Sequence, residues 1–171
     1  MSNPPLLNFT PWDLEQAHED WGCNCGPAAL AACLGMTLDD VWCHLGRFCQ
    51  LHYMNRDMMF QAVRQHGFRA TVDLVADQDG VDRYPTHGLC LVQFGGPWVD
   101  DPKLAKWGTT QTHWIASKID AGVNWIFDVN YARWVEWQTW HEELIPRLVR
   151  RDKYRDGTYW LSTSWEIRKS R

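Results

Sequence analysis

Gly22-Cys23-Asn24-Cys25-Gly26-Pro27-Ala28-Ala29-Leu30-Ala31-Ala32-Cys33 is the stretch on which the reading of this chain turns. Proline suits the first turn of a helix, where its missing N–H is no loss and its φ is already helical. The Ala and Leu residues behind it are strong helix formers, and Gly35 supplies a stop. The pattern predicts a helix over 25–34 with Cys25 at its N-terminus. Unpaired N–H groups and the macrodipole favour negative charge there. A thiol so placed loses its proton more readily, and the thiolate is the nucleophile. The competing reading is a small buried cysteine that begins a core helix. A base and an acid elsewhere in the chain decide between them.

Outward from this stretch, residues 1–20 read as an irregular arm with one short helix from Pro11 to Glu19, opened by Thr10. Thr37, with Asp39 and Asp40 behind it, caps a second helix that runs to Leu45. Asn55 caps a third, from Arg56 to His66, which Gly67 closes. The character then changes. Phe68, Ala70 and Val72 alternate with polar residues as in a half-buried strand. Residues 77–86 form a polar loop. Leu89–Phe94 is an apolar run suited to a central strand, and Gly95-Gly96-Pro97 breaks it. Residues 98–112 are a long connection, a length that is often functional inside a compact domain.

A hairpin follows, with strands at 113–119 and 125–129 about a turn at 120–124. Thr139 and Glu142 have capping-box spacing for a helix reaching Arg150, which Pro146 kinks or restarts. Tyr159–Ile167 is the last strand. Helices first and antiparallel strands after make an α+β pattern in one domain spanning 1–171, with a C-terminal helix and strand within 131–171.

The hairpin brings two polar residues together. His113 begins one strand and Asp128 ends its partner, so both lie at the same end of the ladder. A carboxylate there can hold the imidazole tautomer and stabilise its cation, the orienting role in a nucleophile, base and acid triad. Asn130, two residues on, is a second candidate orienter.

Cys25-Gly26-Pro27-Ala28-Ala29-Leu30, then His113-Trp114 opening a strand, then Phe127-Asp128 ending the next, resembles the papain-like cysteine peptidases. Within them it is most similar to the C39-like, bacteriocin-processing branch. The resemblance covers roughly residues 16–130 and implies N-terminal helices carrying the cysteine, followed by an antiparallel sheet carrying His and Asp. It implies Cys25 as nucleophile, His113 as general base and acid, and Asp128 as orienter, with no cofactor. Two departures stand out. Family members usually carry an oxyanion glutamine six residues before the nucleophile, where this chain has Glu19. The Pro that often follows the Asp is also missing. Gln16, Asn24 and His18 are the nearby side chains able to donate beside the Cys25 N–H. Small stand-alone domains of this type resemble bacteriophage-encoded proteins.

Composition limits the alternatives. The chain has 171 residues, 45% of them hydrophobic, and a formal net charge of −4. An acidic balance argues against a general nucleic-acid binder. No apolar run is long enough to span a membrane, and the N-terminus lacks a signal-peptide pattern. Six cysteines in such a chain read as reduced thiols of a cytoplasmic protein rather than as a disulfide framework. A zinc site built from Cys23, Cys25, Cys43, His44, Cys49 and His52 is the sharpest competitor, although its spacings match no standard pairing. Among the twelve tryptophans, Trp134, Trp137 and Trp140 recur every three residues, as in a helical packing stripe. Trp98 and Trp107 flank the long loop and could wall a substrate groove.

Two functions follow as expectations. One is a thiol hydrolase cleaving a peptide or isopeptide bond of a peptide or protein substrate. The other is a scaffold without turnover, a binding or structural module such as a phage virion or host-interaction protein with a protein assembly partner.

Overall fold

The structure, a computed structural model, describes residues 3–72 and 84–170. The polar loop read at 77–86 therefore lies largely outside the described residues. Five helices come first: α1 Pro11–Trp21, α2 Cys25–Leu34, α3 Leu38–Trp42, α4 Phe48–Leu51 and α5 Arg56–Gln65. Strands β1 Phe68–Val72 and β2 His87–Phe94 follow, then a short α6 Ala105–Gly108, then β3 Thr112–Asp120, β4 Val123–Asp128 and β5 Arg133–Glu136. The chain closes with α7 Trp137–Thr139, a π-helical turn Trp140–Leu144, α8 Ile145–Arg150 and β6 Tyr159–Lys169.

The six strands form one antiparallel sheet in the order β1-β6-β2-β3-β4-β5. The molecule is therefore α+β. The last strand, β6, inserts between β1 and β2. It approaches so closely that a Cβ on Gly88 would sit 1.8 Å from the Trp165 carbonyl oxygen, so that position must be glycine.

The sheet has a covered core on each face. Leu89, Leu91, Trp114, Ala116, Phe127 and Ile167 pack beneath α1 to α5. Cys90, Val92, Phe94, Ile115 and Ile126 pack against the π turn and α8. Successive strand residues point to opposite faces. A strand covered on both sides must be apolar throughout, which accounts for the uninterrupted run in β2.

Four expectations change. The N-terminal helix starts at Pro11 behind the Thr10 cap, as expected, but α1 extends to Trp21 rather than Glu19, and Phe9 before it packs edge-on to Phe127. The second helix stops at Trp42 rather than Leu45. Thr139 is not an N-cap; it has helical φ and ψ because α7 starts directly from β5. Consequently Trp134 lies on a strand, and the three tryptophans share no helical face. Pro146 restarts the helix, as expected, from the first turn of α8. It offers no N–H to the Glu142 carbonyl, and the turn before it widens to π geometry.

Candidate active site

Gly22 ends α1 with a left-handed φ of 76° and turns the chain back. Asn24 then caps α2: its Oδ1 accepts from the Gly26 N–H at 3.2 Å. Cys25 is thus the first residue of a helix whose remaining residues through Cys33 are buried. Cys25 itself is only half-buried. The N-terminus of α2 overhangs the start of β3, which carries His113.

The hairpin register decides which residue orients the ring. Ala116 pairs with Phe127. Continued by three steps, that ladder would bring position 113 level with 130, leaving 128 two positions back on the same face. The ring takes the diagonal neighbour: His113 Nε2 lies 2.8 Å from Asp128 Oδ2. Asn130 serves the carboxylate instead. Its N–H and its Nδ2 both donate to Asp128 Oδ1, at 2.9 and 2.8 Å. Trp140 Nε1 donates to Asp128 Oδ2 at 2.8 Å. Every acceptor site of this fully buried carboxylate is therefore filled.

With Nε2 committed to Asp128, the His113 nitrogen left for the thiol is Nδ1, and the Cys25 and His113 side chains are hydrogen-bonded. The Trp114 N–H also donates to the sulfur. Burial works against charge on all three groups. Mutual attraction and these hydrogen bonds outweigh it. Cys25 is held below the ordinary thiol value. His113 is raised to about 10 by Asp128 and Cys25. Asp128 is held down to about 2 by His113, Trp140 and Asn130. The favoured resting state is a thiolate beside an imidazolium. By contrast, burial pushes the neighbouring Cys23 thiol up to about 12.

These shifts carry a stability consequence whose sign follows from proton counts. His113, raised from 6.5 to about 10, contributes stability that is present below 6.5 and lost as pH rises toward 10. Cys25, lowered from 9.0, contributes stability that is present above 9.0 and lost as pH falls through its depressed value. Above both 6.5 and the lowered value of Cys25, and below 9.0, the folded pair holds one proton, on His113, and the unfolded pair holds one, on Cys25. The two slopes cancel. Relative to the parent, Cys25→Ala should therefore lose stability across this interval by about 1 kcal/mol per pH unit. Urea unfolding at a series of pH values reads this directly. A Cys25→Ala profile parallel to the parent's would contradict the ion pair.

The other site expectations fare differently. Gln16 is on the far side of α1; its Nε2 donates to Asp20, and it lines a separate hollow with Thr37 and Trp42. It is not an oxyanion donor, because α1 turns Pro11, Leu14, Glu15 and His18 toward the thiol instead. Asn24 is not one either, since its Nδ2 donates to the His52 carbonyl at 2.9 Å and its Oδ1 caps α2. Trp98 walls no groove. It is buried, donates from Nε1 to the Phe94 carbonyl, and packs on Gly96 and Gly108 to pin the long loop. Trp107 is exposed, but it faces a different hollow beside Tyr154.

The cysteines are all free thiols. Among the described residues no three His, Cys, Asp or Glu side chains group to hold a metal, and the six residues of the zinc alternative are dispersed. No described helix is long and apolar enough to cross a membrane.

Sequence reasoning missed Trp140. The signal was available in principle, because a buried carboxylate needs donors and a buried indole needs an acceptor. Nothing in the chain order said that the two would meet. No family model matches this chain, no curated protein matches it, and no solved structure matches it.

Proposed function

We propose that the chain is a papain-like thiol hydrolase that cleaves peptide or isopeptide bonds. The observation that supports this best is the unbroken run of contacts from the half-exposed Cys25 through His113 to the buried Asp128. In this reading the Cys25 thiolate attacks the substrate carbonyl carbon and forms a tetrahedral oxyanion. The imidazolium of His113 gives its proton to the leaving amine, and a thioester remains on Cys25. Neutral His113 then takes a proton from water, which attacks the thioester. The C–S bond breaks, the acid leaves, and the thiolate–imidazolium pair is restored. Asp128 keeps the ring oriented throughout. A nucleophile of this kind needs a reducing compartment, and the cytoplasm is the reading we adopt.

The oxyanion requires donors. The Cys25 N–H, free at the start of α2, is the first. The second is His18, which lines the same cavity as Cys25 and His113. Its Nδ1 is 2.9 Å from the Cys23 carbonyl, which can only accept, so Nδ1 carries a proton. Nε2 then donates only when the ring is doubly protonated. The absence of a side-chain amide here favours a second reading, a papain-like scaffold without turnover that acts as a binding or structural module, for example in a phage virion. Incubation with a diverse peptide mixture, followed by mass spectrometry, separates the two. New termini that vanish with Cys25→Ala support the hydrolase. Identical peptide profiles for the parent and Cys25→Ala exclude it.

A further inference from the structure

The thiol sits where two cavities meet. One, of about 580 Å³, runs between α1 and α8 and is lined by Glu15, His18, His113, Arg151 and Arg155 among others. The second, of about 790 Å³, lies on the other side of Cys25 and includes Arg56, Lys106, Gln93 and Trp114. Asn24, Cys25 and Thr112 belong to both. Four permanent cations thus line the cleft, two on each side of the sulfur, against one carboxylate, Glu15. This is the reverse of the molecule as a whole, whose formal charge is −4.

Arg155 is the best-placed of these cations. It is half-buried. Its guanidinium lies 4.0 Å from the centre of the Phe94 ring. Nε donates to Gln111 Oε1 at 2.9 Å, and Nη1 donates to the Leu148 carbonyl. These contacts fix the plane of the group, and Nη2 has no acceptor among the described residues. No carboxylate stands within 4 Å of it among the described residues, and Asp152 acts on it only from farther away. A preorganised, partly desolvated guanidinium with an open donor is a carboxylate receptor, because charge-assisted hydrogen bonds are strongest from such a group.

We infer that the cleft selects acidic peptides, with carboxylate side chains seated on Arg155 and Arg151 on one side of the scissile bond and on Arg56 and Lys106 on the other. This deepens the hydrolase reading above and rests on it. Cations flanking both sides of the nucleophile would also concentrate an acidic segment at the cleft before it docks. A peptide fits better than a nucleic acid, because the group at the centre of the cleft is a nucleophile for acyl carbon.

The test uses the full chain carrying Cys25→Ala, so that binding is read without turnover. The probes are two peptides blocked at both ends, one of alternating Glu and Ala and its Gln and Ala counterpart. The Glu peptide should bind at least about tenfold tighter, and added salt should shrink the difference. Arg155→Gln should remove about tenfold of that preference, and Arg155→Lys should restore only part of it. Arg151→Gln, at an exposed position that leaves folding untouched, should give a smaller loss in the same direction. Equal binding of the two peptides, or a preference that survives both glutamine variants, overturns the inference. So does tighter binding of a single-stranded oligonucleotide than of the Glu peptide.

The parent chain is given the same peptides in a cleavage assay. Faster cleavage of the Gln peptide overturns acidic selection and leaves the hydrolase standing. The expected binding preference with no cleavage of any peptide supports the acidic cleft and removes the hydrolase.

Discussion

Iodoacetamide labels Cys25 ahead of the other five cysteines, and its lead is widest below the pH at which a free thiol ionises. This expected result follows from which thiols are ionised and which are reachable. Cys25 is half-exposed and held below the ordinary thiol value despite burial, by the His113 cation, its hydrogen bond and the Trp114 N–H. Cys23, two residues away, is buried and pushed up to about 12. Cys33 is buried and raised as well, and Cys90 is buried. Cys43 and Cys49 are exposed and act as internal controls. The expected pH midpoint for Cys25 lies below that of a free thiol. His113→Ala should carry it above, because burial then acts with nothing opposing it. Peptide mapping after short exposures reads both quantities. If hydrolysis is found, Cys25→Ser should reduce kcat on the order of 10⁶-fold, the loss seen when a nucleophile is removed from a working triad. Labelling of Cys25 at the pace of Cys43 and Cys49 across the pH range would remove the basis for a thiolate.

Replacing Asp128 is expected to have the largest effect on the fold and the second largest on turnover. Four hydrogen bonds end on this carboxylate, from His113, Trp140 and the two Asn130 donors. Asp128→Ala leaves the His113 cation buried without its partner and strands the Trp140 indole N–H. Removing one member of a buried ion pair costs about 3–5 kcal/mol, so the urea midpoint should fall steeply. Asp128→Asn preserves the volume and some of the hydrogen bonds. It should cost less stability and lower kcat by less than Asp128→Ala, because an amide oxygen can still accept from the ring N–H but no longer balances the imidazolium charge.

The pH signature of Asp128 is opposite to that of His113. Its carboxyl is lowered from 3.8 to about 2, so its stabilisation is present above 3.8 and is lost as pH falls through about 2. Asp128→Asn should remove that acid limb from the stability profile. If the parent and Asp128→Asn unfold in parallel between these two values, the carboxylate is not held as described. Trp140→Phe should fall between parent and Asp128→Asn in both stability and rate, since it removes a single donor.

Much of the local structure was legible because its causes are local. The start of α2 at Cys25 follows from Asn24, Gly26, Pro27 and the Ala run, and α5 follows from the Asn55 cap. The β3–β4 hairpin follows from alternation about a Gly-containing turn. These signals depend on residues a few positions apart, which physics links through backbone hydrogen bonds and dihedral preference. They were sufficient to pick out Cys25, His113 and Asp128 as a candidate set, and α+β as the class.

Whatever depended on residues distant in the chain was decided by packing. The insertion of β6 between β1 and β2 is one case, because pairing partners that far apart leave no local mark. The division of labour between Asp128 and Asn130 is another, set by a diagonal contact two residues off from direct opposition. The helical phase of α1 is a third: it turns Gln16 outward and His18 inward, a difference of two positions on a 3.6-residue turn. Trp98, which by sequence position could equally wall a groove, is a pin, since the glycines that accommodate it lie on either side of it, at Gly96 and Gly108. Residue types and short spacings thus determined which chemistry was possible. Only the folded chain determined which of several suitable side chains reached the sulfur, because that depends on distances that no local interaction measures.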